Sequence, residues 1–552
     1  HDPTDGRAAG TPTVLLIVGA RNGSFSGKIV VSSDKPVMSL QAQAGALRGP
    51  GGVIPSSAIR IRYGRPWEAR NPRWQPGTGP LACLSETAPA EIAANSRGTV
   101  WATVRIPKDL KAGVYEGSLA ISARGMAAKQ IPLRVQVADW TLPDPVNYRT
   151  WVDIVEAPDT LALEYQVPLW SERHWALIER AFAQLGEVGN KTVYVPLIGH
   201  TNFGHEEAMV RWVRQGPDRY AYDYSVMDRY LDLAQRYLVR PSAVIFVVWE
   251  MYMIPRDSAI PEDELRKVRR EDRPVEITEA RQALEILQKG GELGLGPLVP
   301  VVSVPGRPPQ NTRLPTYSAP ESRALWGPLL SEIRRRVAAR GWGDVMMFGV
   351  FSDSGATKEE LAFFQDLAPG VPWVIQSHYG VGANATREYR GAPVAYDTRV
   401  WGAVRFADGQ KQTNQRAPVT DRATYGWSRP DLVAIYERNS GLDGYPVARW
   451  RFFAETCITG DQRGVGRIGG DFWFCIRDRH GRRAGDAASR YPEASRRNLD
   501  LYSSILAAAP EGPAASNRFE AFREGVQECE ARIAIEYALM DETRRRQLGD
   551  EL

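Results

Sequence analysis

The amino-acid sequence predicts an α/β protein with an all-β domain: an N-terminal β-sandwich, a (β/α)8 TIM-like barrel and a long C-terminal helix. Three patterns in the 552-residue chain lead to this prediction. Segments with period-2 hydrophobicity come first, and apolar runs then alternate with amphipathic helical segments. Near the end lies one long Glu/Arg-rich helical segment, which we expect to pack on the outside of the barrel. The expected domains are residues 1–145, 146–485 and 486–552.

The period-2 segments of the first domain alternate with Gly, Pro and Asn turns. In "IPLRVQV", Leu133, Val135 and Val137 point to one face, and Arg134 and Gln136 point to the other. This alternation is typical of half-buried strands, and about 140 residues suit one sandwich domain. Two prolines in "DWTLPDPVN" then predict a linker. The other strand-like segments are "GKIVVSS", "GTVWATVRIP" and "GVYEGSLAISA".

The middle of the chain alternates apolar runs with helical segments, which indicates βα units and a parallel sheet. Helical periodicity covers residues 171–185, 225–237, 321–340 and 358–367. These units suit a (β/α)8 barrel, and a doubly wound sheet is the alternative. The segment "PLVPVVSVPG" has too many prolines for a central strand. The strand-like runs are "YRTWVDI", "KTVYVPLIG", "AVIFVVWE", "DVMMFGVFSD", "PWVIQSH", "APVAYDT" and "GVGRIGGDFW".

Composition and charge exclude several classes of protein. Hydrophobic residues make up 43% of the chain and charged residues 24%, which is typical of a folded globular protein and not of a disordered one. No run of about 18 apolar residues occurs, so we expect no membrane span. The net charge is +4, and no Lys/Arg block lies beside aromatic residues. We therefore expect no nucleic acid among the partners.

The four cysteines do not indicate a metal site. Cys83, Cys457, Cys475 and Cys529 are widely spaced, and neither a Cys-x-x-Cys nor a His-x-x-x-His pair occurs. Cys457 and Cys475 could form a disulfide in an exported protein, and buried free thiols are the alternative. We expect no metal.

A glycine-rich stretch gives a formal Gly-x-Gly-x-x-Gly match at Gly464, Gly466 and Gly469. Dinucleotide binding requires an apolar strand before these glycines and a helix after them. Here the preceding "TGDQR" is polar, and the following "DFWF" is strand-like. We therefore expect no cofactor at this stretch or elsewhere, and interpret it as the last barrel strand.

Polar and aromatic residues follow the predicted barrel strands at their C-terminal ends, where barrel enzymes place their active sites. Carboxyl groups beside Trp, Tyr and His are typical of a sugar pocket, because aromatic faces stack on C–H surfaces and paired carboxyls perform acid and base work. We predict Asp353, Glu250 and Asp471 as catalytic carboxylates. The predicted substrate-binding residues are His200, Asn202, Trp249, His378, Tyr379, Asp397 and Trp473, with His205 in the same segment as the first two.

Three of these residues also have purely structural interpretations. Trp249 could be a side chain of the barrel wall. Asp353 could cap the helix that follows "SDSGATKEE", which is a good N-cap context. Asp471 could form an ion pair with Arg467. A strand-end position favours a functional role without requiring one.

Several segments together carry a resemblance to a known family. The chain resembles Planctomycetes-type bacterial secreted proteins that contain a glycoside hydrolase domain, related to glycoside hydrolase family 123 and domain of unknown function 4091. The resemblance covers most of the chain and implies a β-sandwich, a (β/α)8 barrel and an exo-acting β-N-acetylgalactosaminidase with substrate-assisted retention. The segments are "RNGSFSGKIVV", "VRIPKDLKAGVYEGSLAIS", "ADWTLPDP", "RGVGRIGGDFW" and "RFEAFREGVQECEARI".

The family's catalytic motif is an adjacent Asp-Glu at a strand end, and the sequence departs from it. In "GVFSDSGATKEE", Asp353 fits the Asp that orients the acetamido group, whereas Ser354 stands where the acid Glu is expected. A serine hydroxyl does not donate a proton near neutral pH as a carboxyl does. We predict Glu250 as the proton donor, because it ends an apolar run beside Trp249 and apolar surroundings favour a protonated carboxyl. Asp353, between Ser352 and Ser354, suits the orienting role.

Two functions remain open at this point. The first is an exported glycoside hydrolase acting on an amino-sugar or acidic glycan. The second is a non-catalytic extracellular protein, carbohydrate-binding or structural, on the same scaffold. The chain begins at His1 without a signal sequence, as a processed product does. The resemblance to secreted proteins implies a secreted, extracellular or periplasmic location. The expected partner is a carbohydrate; the oligomeric state, including membership of a larger assembly, stays open.

Overall fold

The computed structural model describes residues 14–67, 81–217, 219–260, 275–377, 388–400, 426–428, 432–436, 447–459, 462–494 and 504–548. The chain forms two compact units. The first contains His1–Thr150, Leu442–Thr456 and Ile505–Leu552, and the second contains Trp151–Gly441 and Cys457–Ser504. The C-terminal segment thus belongs to the same unit as the N-terminal segment.

The described residues form the following strands and helices, numbered in chain order. The strands are β1 (Leu15–Arg21), β2 (Ser24–Ser32), β3 (Val37–Met38), β4 (Gln41–Ala44), β5 (Leu47–Gly49), β6 (Gly52–Ile54), β7 (Ile59–Arg65), β8 (Cys83–Ser85), β9 (Glu91–Ile92), β10 (Arg97–Arg105), β11 (Gly113–Ala123), β12 (Met126–Thr141), β13 (Trp151–Val155), β14 (Thr192–Pro196), β15 (Arg211–Gly216), β16 (Arg219–Asp223), β17 (Ala243–Val247), β18 (Leu298–Val302), β19 (Gln310–Arg313), β20 (Met346–Phe351), β21 (Trp373–Gln376), β22 (Glu388–Tyr389), β23 (Ala392–Val400), β24 (Leu432–Tyr436), β25 (Gly464–Gly469), β26 (Ile476–Arg477), β27 (Arg483–Gly485), β28 (Leu506–Ala509) and β29 (Gly512–Ala515). The helices are α1 (Pro158–Glu164), α2 (Glu172–Glu187), α3 (Ser225–Leu238), α4 (Val275–Gln288), α5 (Ser322–Ala339), α6 (Lys358–Leu367), α7 (Ala448–Thr459), α8 (Asn517–Met540) and α9 (Glu542–Leu548).

The first unit contains two larger sheets. One has the order β1-β12-β11-β5-β6 with β4 paired to β11, and the other has the order β2-β10-β7-β8. The alternation predicted for β12 is confirmed, because Leu133, Val135 and Val137 are buried while Arg134 and Gln136 are exposed. Its neighbour β11 is antiparallel, whereas β1 runs parallel to β12. The two sheets account for the period-2 segments of the sequence.

The long helix α8 begins at a Ser N-cap and is buried along most of its length. The Ser516 hydroxyl accepts the N–H of Phe519, which satisfies one of the free donors of the first turn. One turn into the helix, Glu520 is buried between Arg62 and Arg523. A long C-terminal helix, as predicted from the sequence, is therefore present, and it belongs to the first unit.

The second unit is built around a parallel sheet. Its strand order is β13-β25-β24-β23-β21-β20-β17-β14, and every ladder along this path is parallel; β22 adds an antiparallel pair to β23. Each strand-like run predicted for the barrel is a strand of this path. The prediction missed β24, whose sequence is LVAIY.

A closed barrel, the finer part of the fold prediction, is not seen. No ladder joins β13 to β14 among the described residues. Instead, the side-chain oxygen of Asn190 accepts the N–H of Ile154 over 2.9 Å, and its amide nitrogen donates to the Thr192 carbonyl oxygen. One main-chain bond, from Lys191 N–H to the Val152 carbonyl oxygen, crosses the seam. The Asn190 side chain thus accepts the N–H of Ile154, which in a β13–β14 ladder would donate to a main-chain carbonyl oxygen of β14.

A smaller sheet with the order β16-β15-β18-β19 accompanies the parallel sheet. It contains β18, formed by the proline-containing run LVPVV. Because Pro300 has no N–H to donate, this run suits a short side sheet better than the centre of the parallel sheet. The sequence correctly excluded it as a central strand.

The glycine-rich stretch forms β25, the last strand of the parallel sheet, as predicted. A Cβ on Gly464 would lie 2.1 Å from the carbonyl oxygen of Trp151 on β13, and Gly464 has φ +154°. The first glycine of the stretch therefore permits two backbones to approach each other closely.

None of the helices in the described part of the chain combines the length and the apolar character needed to cross a membrane.

Candidate functional site

The parallel strands of the second unit all end at the same edge of their sheet, and polar residues follow most of them. Parallel sheets bind ligands at this C-terminal edge, because the loops there bring side chains of different strands together. All the polar residues concerned are buried. They are Glu156 after β13, Asn202 after β14, Glu250 after β17, Asp353 and Ser354 after β20, Gln376 at the end of β21, Asp397 within β23 and Asp471 after β25.

A small cavity lies at this edge. Its volume is about 10 Å³, which is room for one water-sized group. It brings together three of the predicted site residues, Asn202, Trp249 and Glu250. Its lining is completed by Phe203, Val247, Val350 and Gln376.

Glu250 is held by main-chain donors on both sides of its carboxylate. Its Oε2 accepts the N–H of Asn202 over 2.6 Å, and its Oε1 accepts the N–H of Met251 over 2.7 Å. The carboxylate therefore fixes the segment after β14 to the segment after β17. Accepting two N–H groups is what an ionised carboxylate does well, and this geometry differs from the apolar environment predicted from the sequence.

Asp353 and Ser354 are both buried just beyond β20. The helix after them, α6, is capped by Thr357, whose hydroxyl accepts the N–H of Glu360 while the Glu360 carboxylate accepts the N–H of Thr357. Asp353 is therefore not the N-cap of this helix, and its interpretation as the helix cap is wrong. The Ser354 hydroxyl has no hydrogen-bond partner among the described residues.

Asp471 lies beside a second buried carboxyl, Glu156, which the sequence interpretation did not single out. Asp471 Oδ1 accepts the N–H of Ala157 over 2.7 Å, and Glu156 Oε2 accepts the Tyr230 hydroxyl over 2.7 Å. The other oxygen of each carboxyl has no partner among the described residues. Burial raises the pKa of Asp471 to about 8, and burial together with the Asp471 charge raises the pKa of Glu156 well above its usual range. A proton therefore stays on this pair near neutral pH.

Local signals for Glu156 exist in the sequence. It directly follows the buried run WVDIV and precedes Ala157 and Pro158, where α1 begins. A carboxyl between a strand and a Pro-initiated helix is a candidate in the same sense as the residues predicted here. The structural alternative for Asp471 is an ion pair with Arg467. No hydrogen bond joins the two side chains among the described residues, because Asp471 Oδ1 accepts the N–H of Ala157 and its Oδ2 has no partner there.

Trp473 and Asp397 are buried within the second unit. Trp473 is 1% exposed and packs edge-on against Tyr165 at 6.2 Å between ring centroids. Asp397 lies in β23 opposite Ile375 of β21 and Val433 of β24. Neither residue lines the small cavity.

The predicted histidines form a separate cluster. The His200 ring stacks on Tyr491 at 3.9 Å, and its Nδ1 lies 3.1 Å from Glu493. His205 is buried and hydrogen-bonds to the Thr201 hydroxyl; burial lowers its pKa to about 3, so it is neutral at physiological pH. His378 and Tyr379, also predicted as substrate-binding, lie outside the described residues.

No group of three or more His, Cys, Asp or Glu side chains that could hold a metal ion is found in the part of the chain that the structure describes.

Comparisons with known proteins bear on this edge of the sheet. Residues 156–281, which include Glu156, Asn202, Trp249 and Glu250, match the sequence model described as "Glycoside hydrolase 123, catalytic domain". No curated protein matches the chain. This match supports the relationship to glycoside hydrolase family 123 that the sequence resemblance predicted, and it supports a glycoside hydrolase. Such a domain implies a carbohydrate ligand.

Two solved structures illustrate the likeness. A family 123 glycoside hydrolase from Clostridium perfringens, described in a study of glycolipid glycan hydrolysis, is 14% identical with a TM-score of 0.62; the alignment covers 96% of this chain and 85% of that chain. A family 39 glycoside hydrolase from the gut symbiont Bacteroides cellulosilyticus WH2 is 9% identical with a TM-score of 0.35, covering 94% of this chain and 82% of that chain. The first likeness is one of fold.

Proposed function

We propose that the protein is an exported glycoside hydrolase that acts on an amino-sugar or acidic glycan at the C-terminal edge of its parallel sheet. The observation that carries the proposal is the small cavity at this edge, where Asn202, Trp249 and Glu250 meet inside the segment that matches a glycoside hydrolase catalytic domain. The Clostridium perfringens enzyme was studied for glycolipid glycan hydrolysis, which makes glycolipid glycans a first set of substrates to test.

The proposed reaction needs one proton donor and one group that orients the sugar. The glycosidic C–O bond breaks, the donor's proton goes to the leaving oxygen, and water supplies a hydroxyl to the anomeric carbon and a proton back to the donor. Glu250 is the proposed donor because it is the predicted carboxylate that lines the cavity. Asp353, buried and not engaged as a helix cap, is the proposed orienting group. Asp471 supplies a third carboxyl, paired with Glu156.

A second function is favoured by a different observation. Both oxygens of Glu250 accept main-chain N–H groups, and Ser354 stands at the acid position of the family motif. These contacts suit a carboxylate that holds two loops together. A non-catalytic carbohydrate-binding protein on the same scaffold is therefore the alternative, with the cavity edge as its binding surface.

Hydrolysis assays separate the two functions. Wild type would be incubated with para-nitrophenyl β-glycosides of N-acetylgalactosamine, N-acetylglucosamine and glucuronic acid, with glycolipid-derived oligosaccharides, and with each sugar in a binding assay by saturation-transfer NMR. The hydrolase predicts turnover of at least one glycoside that Asp353→Asn reduces about 100-fold or more and that the exposed control Asp257→Asn does not affect. Binding without turnover would favour the alternative, and turnover unaffected by Asp353→Asn would remove the proposed role of Asp353.

A further inference from the structure

The interior of the parallel sheet contains a carboxylate with four donors around it. Asp153 Oδ1 accepts the hydroxyls of Thr192 at 2.7 Å and Tyr194 at 2.9 Å. Its Oδ2 accepts the Tyr396 hydroxyl at 2.5 Å and the main-chain N–H of Arg467 at 3.0 Å. All of these groups are buried. Since each partner brings a hydrogen to Asp153, the carboxylate is the common acceptor of the network.

This network fixes the direction of the next hydrogen bond. A tyrosine has one O–H, and that of Tyr194 is given to Asp153. The Tyr194 oxygen therefore accepts its second contact, which comes from Gln376 Nε2 at 2.7 Å. With the amide nitrogen turned towards Tyr194, the carbonyl oxygen Oε1 of Gln376 is directed away from it. The orientation of the Gln376 amide thus follows from Asp153, two hydrogen bonds away.

Gln376 Oε1 is buried and has no hydrogen-bond partner among the described residues. Gln376 lies at the end of β21 and lines the small cavity together with Trp249 and Glu250. Most of the other lining is apolar, from Phe203, Val247 and Val350. A buried acceptor without a donor is costly, so a group that enters this cavity gains by bringing a hydrogen to Gln376.

We propose that the cavity is a recognition site for one hydroxyl group of the glycan, which donates its hydrogen bond to Gln376 Oε1. A volume of about 10 Å³ matches one water-sized group, which is the size of a single hydroxyl. Gln376 then determines which sugars are accepted, and Tyr194 acts as a positioning residue through the amide. This inference rests on the proposed carbohydrate ligand and adds a specificity determinant to it.

Deoxy sugars test the site. The probes are para-nitrophenyl β-N-acetylgalactosaminide, or whichever aryl glycoside wild type turns over, and its monodeoxy analogues. We expect one analogue whose kcat/KM falls about 10- to 100-fold in wild type, because the acceptor loses its donor. Gln376→Met keeps the side-chain length and removes the acceptor. In this variant, kcat/KM for the same analogue should be less than about 3-fold below kcat/KM for the parent glycoside.

Two further variants make the result specific to the amide. Tyr194→Phe leaves Gln376 in place but removes the hydroxyl that orients its amide. Discrimination, the ratio of kcat/KM for the parent glycoside to kcat/KM for the deoxy analogue, should therefore drop to an intermediate value in Tyr194→Phe and disappear in Gln376→Met. Gln184→Met replaces a buried glutamine of α2 outside the cavity and should retain wild-type discrimination. Circular dichroism checks that each variant folds, and if Gln376→Met is unfolded, Tyr194→Phe alone decides, since unchanged discrimination in it overturns the proposal.

The outcome is distinguishable from failure of the hydrolase proposal. If wild type binds sugars without turnover, the same analogues are compared by saturation-transfer NMR, and loss of binding for one analogue in wild type but not in Gln376→Met supports the hydroxyl site without the hydrolase. Turnover with equal discrimination in wild type and Gln376→Met overturns the hydroxyl site and leaves the hydrolase. Neither turnover nor binding of any probe overturns both.

Discussion

Asp471 accepts the main-chain N–H of Ala157 over 2.7 Å. This bond joins the end of β25, the last parallel strand, to the start of α1, the helix that follows β13. Its pKa of about 8, raised by burial from an ordinary value of 3.8, means that the folded protein keeps a proton that the unfolded chain releases. Stability from this group is complete below about pH 4 and is lost as the pH rises towards 8.

Asp471→Asn should therefore flatten the pH dependence of stability. Between about pH 5 and pH 7, the free energy of unfolding of wild type should fall relative to that of the variant by up to about 1.4 kcal/mol per pH unit. Urea unfolding at a series of pH values measures this difference. The exposed control Asp257→Asn should keep the wild-type slope, and an Asp471→Asn slope equal to that of wild type would show that Asp471 does not retain a proton.

Glu520 in α8 should have the opposite pH dependence. Burial alone would raise its pKa, but Arg523 and Arg62 outweigh burial and lower it to about 2. Its contribution is present above about pH 4.5 and is lost as the pH falls towards 2. Glu520→Gln leaves two buried guanidinium groups uncompensated and should cost about 3–5 kcal/mol at neutral pH.

Urea unfolding at neutral pH and near pH 3 checks this prediction for Glu520. The difference in the free energy of unfolding between wild type and Glu520→Gln should be smaller near pH 3 than at neutral pH. The exposed control Glu542→Gln should change the free energy of unfolding by less than about 1 kcal/mol. A loss below about 1 kcal/mol for Glu520→Gln would mean that the ionic cluster adds little to the first unit.

All four cysteines should carry thiols rather than disulfides. Cys83, Cys457, Cys475 and Cys529 are buried, and no disulfide joins any two of them in the described part of the chain. Burial also raises the pKa of Cys83 and Cys475 to about 12, which suppresses the reactive thiolate. Alkylation followed by mass spectrometry should label four residues in the denatured, unreduced protein and few in the native protein. Two labelled residues would instead indicate the Cys457–Cys475 disulfide that export permits.

Hydrophobic patterns in the sequence predict a strand or helix wherever its side chains follow a regular period. The buried strands of the second unit are continuous apolar runs, which is why the sequence predicts seven of the strands on its main path. The segment of β24, Leu432–Tyr436, is equally apolar but short and lies between polar neighbours, so the prediction missed it. The seam between β13 and β14 could not be foreseen, because it depends on the side chain of Asn190 taking a main-chain donor.

The site was predictable only as a set of strand ends. Position along the sequence placed Asn202, Trp249 and Glu250 at one edge, and the cavity brings them together. The carboxylate contacts of Glu250 and the role of Gln376 depend on partners far away in the chain, such as Tyr194, which no local pattern encodes. The sequence predicts which residues end each strand, but it does not predict which way their side chains point or what they contact.

The most direct test of the central claim is the leaving-group dependence of Glu250→Gln. If Glu250 protonates the leaving oxygen, this variant should lose about 100- to 10,000-fold in kcat on an oligosaccharide, whose leaving group needs a proton. On a dinitrophenyl glycoside, which does not need one, the loss should be below about 10-fold. Wild-type activity of Glu250→Gln on the oligosaccharide, or a wild type that hydrolyses no glycoside at all, would contradict the account.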